Sequence, residues 1–406
     1  MQFNIHEFSG GLRLIHLPHR FRVAHCGIII YTGSRDEEAH EHGLAHFIEH
    51  TLFKGTQKRN AFQVLCRLED VGGELNAYTT EEYTCIYASF LSVYYQRTME
   101  LLSDIFFHSI FPAAELQKEK SVILDEISLY QDSPSELIFD DFDELLFGKS
   151  SLGRNILGQK KTLASFNKAM IKKFIGRNYH SRNVVISSVG NIAFPEITVL
   201  VKKHFSSIAV LNGEAKKHFL KISKPKQKIK HKDTHQAHIM LGTTAYSIHH
   251  RKRSILNLLN NILGGPGMNS RLNVLLREKN GIAYNIGSYY SPYRDTGTFT
   301  IYFGTDKQKI QYSLSLIKKL LHEMKTKKMT ATQLHNAQRQ YTGQIAIAAE
   351  NKEALMLGIG KSMLVFNRAF SYQDIYKEIH AITFSALLDT ANEIFDDNRF
   401  SQLIYV

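Results

Sequence analysis

His46-Phe47-Ile48-Glu49-His50 sets two imidazoles four residues apart with a carboxylate between them. On a helix that spacing brings both rings to one face, a turn apart, where they can meet a single ion. At about 100° per residue, Leu44, Phe47, Ile48 and Leu52 cluster on one side, with His46, Glu49 and His50 nearly opposite. One face therefore packs and the other is left for chemistry. The order H-x-x-E-H reverses the H-E-x-x-H of many zinc hydrolases, in which the glutamate takes a proton from water. Two solvated histidines on an exposed helical face would be the non-functional account of the same residues.

Two histidines leave a tetrahedral zinc short of a ligand, and a hydrolytic site must keep one position open for water. A helix over 112–131, with proline suited to a first turn, offers Glu115, Glu119, Asp125 and Glu126. Glu119 and Glu126 lie seven apart, two turns along one face, so one could ligate while the other supports. Spacing alone leaves the choice among the four open, and a solvated acidic helix would carry the same residues.

The elements that must position these residues follow from pattern. The first half reads as a strand over 23–31, the histidine helix through 53, and a helix over 61–71. A Gly72-Gly73 break and an alternating strand over 74–91 come next. Lys54 suits the C-terminal end of a helix dipole and Gly55 a C-terminal cap. Helices over 93–109, 112–131 and 195–205 and a buried strand over 183–190 complete this half. The second half replays the order with a strand over 238–244, helices over 254–263 and 270–279, Gly281, and an alternating strand region over 282–304. Leu263-Gly264-Gly265-Pro266-Gly267 reads as a turn between helices. The histidine motif is missing from this second copy, which predicts a duplicated domain with one active half.

A chain of 406 residues with 43% hydrophobic and 22% charged residues suits two packed domains. The divisions expected are 1–212, a basic linker or entry strand over 213–232, and 233–406. The net charge of +12 invites a nucleic-acid reading. Much of it, however, comes from eight lysines between Lys216 and Lys232, and the alternating part, Lys224 to Lys232, has no interleaved aromatics of the kind that stack on bases. Alternating Lys224, Lys226, Lys228, Lys230 and Lys232 fit a solvated edge strand, so no nucleic-acid partner is expected. No apolar run is long enough to span a bilayer, and no leader or membrane partner is expected. Cys26, Cys66 and Cys85 cannot all pair within one chain, which fits a reducing compartment, the cytoplasm by default.

Gly43-Leu44-Ala45-His46-Phe47-Ile48-Glu49-His50 followed by Phe53-Lys54-Gly55-Thr56 resembles the active-site segment of the pitrilysin (M16) family of zinc metallopeptidases. The likeness extends to Leu75-Asn76-Ala77-Tyr78-Thr79 with Thr84 and Tyr87, and to Val122-Ile123-Leu124-Asp125-Glu126-Ile127. It continues through Leu152-Gly153-Arg154 with Ile156-Leu157-Gly158, and through Asn183-Val184-Val185-Ile186 with Gly190-Asn191. In the second half it includes Ser270-Arg271-Leu272, Leu276-Arg277-Glu278-Lys279, Gly281-Ile282-Ala283-Tyr284 and Asp295-Thr296-Gly297. The resemblance covers most of the chain. It implies an α+β fold of two homologous domains, each a mostly antiparallel sheet packed with helices.

Carried over by position, the resemblance makes Glu126 the third zinc ligand beside His46 and His50, and Glu119 a supporting glutamate. Asn76 and Ala77 then lie on the edge that pairs with substrate backbone. Arg277 and Tyr284 reach the reacting carbonyl, although in isolation they would pass for a helix-end salt-bridge residue and a core tyrosine. The activity implied is zinc-dependent endopeptidase action on unfolded peptides, with Glu49 as general base. A non-catalytic subunit of the same fold is the alternative, set against the retention of both histidines and both glutamates. The family encloses its chamber with four copies of the domain, whereas this chain encodes two. The resemblance therefore implies a homodimer whose subunits share sites, Tyr284 acting in trans.

Overall fold

The computed structural model describes residues 2–210, 220, 222–232 and 234–406. In the first half the strands are β1 (Asn4–Glu7), β2 (Arg13–Pro18), β3 (Val23–Ile30), β4 (Glu74–Thr79), β5 (Thr84–Leu91) and β6 (Val184–Gly190). The helices there are α1 (Leu44–Leu52), α2 (Ala61–Glu69), α3 (Tyr95–His108), α4 (Ala113–Gln131), α5 (Pro134–Phe147), α6 (Lys160–Ser165), α7 (Lys168–Asn178) and α8 (Phe194–Phe205). The second half carries β7 (Gln227–Lys230), β8 (Ala237–Ala245), β9 (Ile286–Pro292), β10 (Gly297–Thr305) and β11 (Ser401–Tyr405). Its helices are α9 (Arg253–Gly264), α10 (Ile310–Thr326), α11 (Ala331–Ala348), α12 (Lys352–Phe366), α13 (Tyr372–His380) and α14 (Phe384–Ile394).

The duplication is explicit in the topology. The first sheet runs β1-β2-β6-β3-β5-β4 and the second β7-β11-β8-β10-β9. Setting β1 aside, each follows the same path: first strand, last, second, fourth, third. Each also contains one parallel pair, β2–β6 in the first and β7–β11 in the second, among otherwise antiparallel neighbours. This is the α+β architecture of two homologous, mostly antiparallel halves expected from the sequence.

Strand alternation gives each sheet two apolar faces. In the first, Ala24, Cys26, Ile28 and Ile30 join Leu44, Phe47 and Ile48 of α1 and much of α3 in one core. The opposite face, with Ile15, Ile29, Cys85 and Val185, is covered by Met356, Ile359 and Met363 of α12. In the second sheet, Ile239, Leu241, Phe299 and Ile301 face α9, α10 and α14, while Met240, Tyr302 and Leu403 face Ile138 and Phe142 of α5. Two helical segments thus leave their own half: Ser128–Gly153 groups with the second sheet and Ala346–Tyr372 with the first. The divisions expected from the sequence are continuous, whereas the compact units are discontinuous.

Local differences have local causes. The region expected as one strand over 74–91 is the β4–β5 hairpin, turned where the Thr80 amide donates to the Tyr83 carbonyl at 2.7 Å. That turn, Thr80-Glu81-Glu82-Tyr83, has neither glycine nor proline to mark it, so the alternation reads through. The 282–304 region divides in the same way into β9 and β10. The helix expected over 270–279 is π-wound at Asn273–Glu278, with the Lys279 amide donating to the Val274 carbonyl. β1 and β2 precede the first expected strand. Of the basic run, Lys216, Lys217 and Lys221 and the boundary at 212 lie outside the described residues. β7 is an outermost strand, and its Lys230 pairs with Asp141 of α5, a helix with five acidic residues.

Candidate metal centre

α1 is preceded at its cap position by Gly43, whose φ of +94° lies in the left-handed region. A side chain there would meet the Leu157 carbonyl at 2.8 Å, so glycine is required for both reasons. No residue at the cap position satisfies the first amides of the helix. Glu37 does so from the preceding loop: its carboxylate accepts the Gly43 amide at 2.9 Å and the Ala45 amide at 2.8 Å. Burial pushes this carboxyl up to about 8, against those two amides and the Arg154 charge, which pull it down. Leu44, Phe47, Ile48 and Leu52 are buried as their spacing predicts.

The opposite face of α1 is not left open to solvent, because α4 lies across it. His46 is only 7% exposed. Its Nε2 lies 3.8 Å, and that of His50 3.6 Å, from Oε2 of Glu126. Both distances exceed a hydrogen bond. That oxygen is buried without a hydrogen-bond partner although the Glu126 side chain is 42% exposed. The ligand atoms of His46, His50 and Glu126 all fall within 4.8 Å of one another. Donors about 2.05 Å from a tetrahedral zinc stand roughly 3.3 Å apart, so the cluster needs only a slight contraction to hold one ion. Burial lowers His46 to about 3, with the neighbouring His50 adding to the effect, so its ring is neutral and able to ligate.

Among the four acidic candidates, geometry separates the roles. Glu126 joins the histidines, and Glu119 accepts from His50 Nδ1 at 3.2 Å while its other oxygen meets Lys54. Glu115 pairs with Lys118, and Asp125 is exposed. A second group, Glu38, His40 and Glu41, also clusters, but Arg177 engages both of its carboxylates, at 3.0 and 2.7 Å.

Glu49 stands beside this cluster. Burial raises its carboxyl, with a further upward push from Glu126, while Thr79 and His50 pull it down. Thr79 ends β4, the outermost strand of its sheet. The Thr80–Tyr83 bond fixes the ladder: alternation turns the amides and carbonyls of Glu74, Asn76 and Tyr78 toward β5 and those of Leu75, Ala77 and Thr79 outward. Ala77 thus turns its backbone outward two residues before Thr79, the residue that contacts Glu49, whereas Asn76 presents an exposed side chain.

Arg277 and Tyr284 belong to the second unit. Arg277 lies in the π-wound segment, exposed and 3.6 Å from Glu278. Tyr284 is 83% exposed, which excludes the core-tyrosine account. Cys26 and Cys85 are buried, and no cysteine is paired.

Residues 17–160 match the family described as Insulinase (Peptidase family M16), and residues 165–341 match Peptidase M16 inactive domain. A Bacillus subtilis protein named Uncharacterized zinc protease YmxG is 36% identical over 387 residues, spanning 94% of this chain and 93% of that one. The chain belongs to peptidase family M16. A relative from Rickettsia bellii, named Uncharacterized zinc protease, is 34% identical over 409 residues, 99% of this chain and 97% of its own. The fold is shared with the crystal structure of a protease from Helicobacter pylori, at a TM-score of 0.91 and 22% identity, over 100% of this chain and 99% of that one. The inactive M16 domain maps to the part of the chain without H-x-x-E-H. Sequence reasoning passed over Glu37, which has no motif of its own, and read Lys54 only for its place at the end of the helix, not for its contact with Glu119.

Proposed function

We propose that this chain is a zinc-dependent endopeptidase that hydrolyses unfolded peptides, with Glu49 as general base. One observation carries the reading: two imidazoles and a buried, unsatisfied carboxylate oxygen converge beside a second carboxylate whose proton affinity is raised. The zinc-protease names of the relatives support it. Bound zinc would polarise the scissile carbonyl and make water more acidic. His46, His50 and Glu126 would hold the ion and leave one position open. Glu49 accepts the proton of the attacking water and returns it to the leaving amine. Its raised carboxyl suits that exchange.

The substrate is read as an extended peptide added to the outer edge of β4. Its backbone would pair with the outward amide and carbonyl of Ala77, and Asn76 would touch it from the flank. Arg277 and Tyr284 would donate to the developing oxyanion or hold the substrate carbonyl. We take them to act across a homodimer, each serving the metal centre of the partner subunit inside an enclosed chamber. The exposed phenol of Tyr284 is available for that role. Three unpaired cysteines favour the cytoplasm. Among the described residues no helix is long and apolar enough to cross a membrane.

The test is Glu49→Gln, which keeps the shape and removes the base. Zinc content should be retained while peptide hydrolysis falls by orders of magnitude. Wild-type cleavage by the purified variant would remove Glu49 from the mechanism.

A further inference from the structure

We infer that Lys54 is a positioning residue for the His50 imidazole, acting through Glu119. The inference rests on the zinc reading of the cluster, although its first test does not. α1 ends at Leu52, the Lys54 amide donates to the Thr51 carbonyl at 3.2 Å, and Gly55 turns the chain at a φ of +124°. The Lys54 side chain runs to α4, where Nζ lies 2.6 Å from Glu119 Oε1. The other oxygen, Oε2, lies 3.2 Å from His50 Nδ1. Glu119 is 6% exposed. A carboxylate that deeply buried is costly without a counter-charge and hydrogen bonds, and here each oxygen has its own partner.

The consequence falls on one nitrogen. An ionised carboxylate only accepts, so His50 Nδ1 must carry the hydrogen and Nε2 presents its lone pair. Nε2 is the atom that faces Glu126. In metal sites the partner of the second ring nitrogen sets the tautomer and the ring angle. Removing Lys54 leaves Oε1 as a buried anionic oxygen without its cation, so Glu119 turns away from His50 or toward the metal position. His46 has no matching tie, its Nδ1 being buried without a partner. Lys54 therefore governs one of the two imidazoles. The dipole role read from its place after the helix is compatible but does not require this contact.

The experiment uses the full chain as wild type, Lys54→Met and Lys54→Arg, with folding checked by circular dichroism. In the metal-free chain, long-range proton–nitrogen correlation spectra of labelled histidines read the His50 tautomer. Wild type and Lys54→Arg should hold the hydrogen on Nδ1, and Lys54→Met should lose that preference. Zinc affinity, measured by competition with a chromophoric chelator, should weaken about 10–100-fold in Lys54→Met and recover most of the way in Lys54→Arg. In a Glu119→Gln background, Lys54→Met should add no further loss, since the path runs through Glu119. A folded Lys54→Met chain with unchanged tautomer and zinc affinity overturns the inference, and so does additive loss in the double variant. A tautomer that responds in a wild-type chain that binds no zinc would support the Lys54 link and refute the zinc reading.

Discussion

Glu37 lies outside the H-x-x-E-H motif yet fixes where that motif begins, because two amides at the start of α1 depend on it. Its carboxyl is raised from 4.5 to about 8 in the folded chain. Between those values the native state holds the proton that the unfolded state releases. The stability this group contributes is therefore complete below about 4.5 and lost as pH rises through about 8. Glu37→Gln should abolish that dependence, so the stability of wild type relative to the variant should fall as pH rises across the window. Denaturant titrations at several pH values would check this, and a relative stability that rises would contradict the assignment. At this scale the sequence was readable where chemistry imposes spacing, as at His46, Glu49 and His50. Spacing could not separate Glu126 from Glu115, Glu119 and Asp125, since all four sit on one helix and only the packing of α4 on α1 distinguishes them. Glu37, and the Glu119 contact of Lys54, escaped because each is a contact whose partners have no fixed spacing.

The secondary-structure elements were legible wherever one face is apolar, and α1, α2 and β3 fall where alternation or helical period puts them. Hairpin turns without glycine were not. Nor was the destination of α12, since periodicity reports that a face is apolar but not which sheet it meets. That packing is close: a Cβ on Gly360 would stand 2.8 Å from the Ser187 Cβ, whereas one on Gly358 would meet nothing within 4 Å. Alanine normally stabilises a helix interior by up to about 1 kcal/mol over glycine. Gly358→Ala should accordingly hold or raise the melting temperature. Gly360→Ala should lower it by an amount corresponding to about 1–3 kcal/mol of overpacking. Equal behaviour of the two would argue against the close approach of α12. On β4, Ala77→Pro removes an outward amide that the β4–β5 ladder does not use. Peptide kcat/KM should drop with zinc content unchanged, and an unaffected rate would place the substrate elsewhere.

At the scale of the whole molecule, the duplication was visible as a replayed order of elements, and the shared strand path bears it out. The exchange of α5 and α12 between units was not visible, because it depends on contacts between residues distant in sequence. The proposed homodimer makes a specific prediction. Glu49→Gln chains and Tyr284→Phe chains should each be inactive alone and recover activity when mixed, since one site in each heterodimer would be intact. Subunit exchange demonstrated without recovered activity would rule out sharing, as would a stable active monomer.

The central claim is that His46, His50 and Glu126 form one zinc site, and metal content measured by mass spectrometry on purified chains tests it most directly. Wild type and Asp125→Asn should each carry one zinc per chain, while Glu126→Gln should lose most of it. Equal zinc in all three, or none in the wild type, would contradict the account.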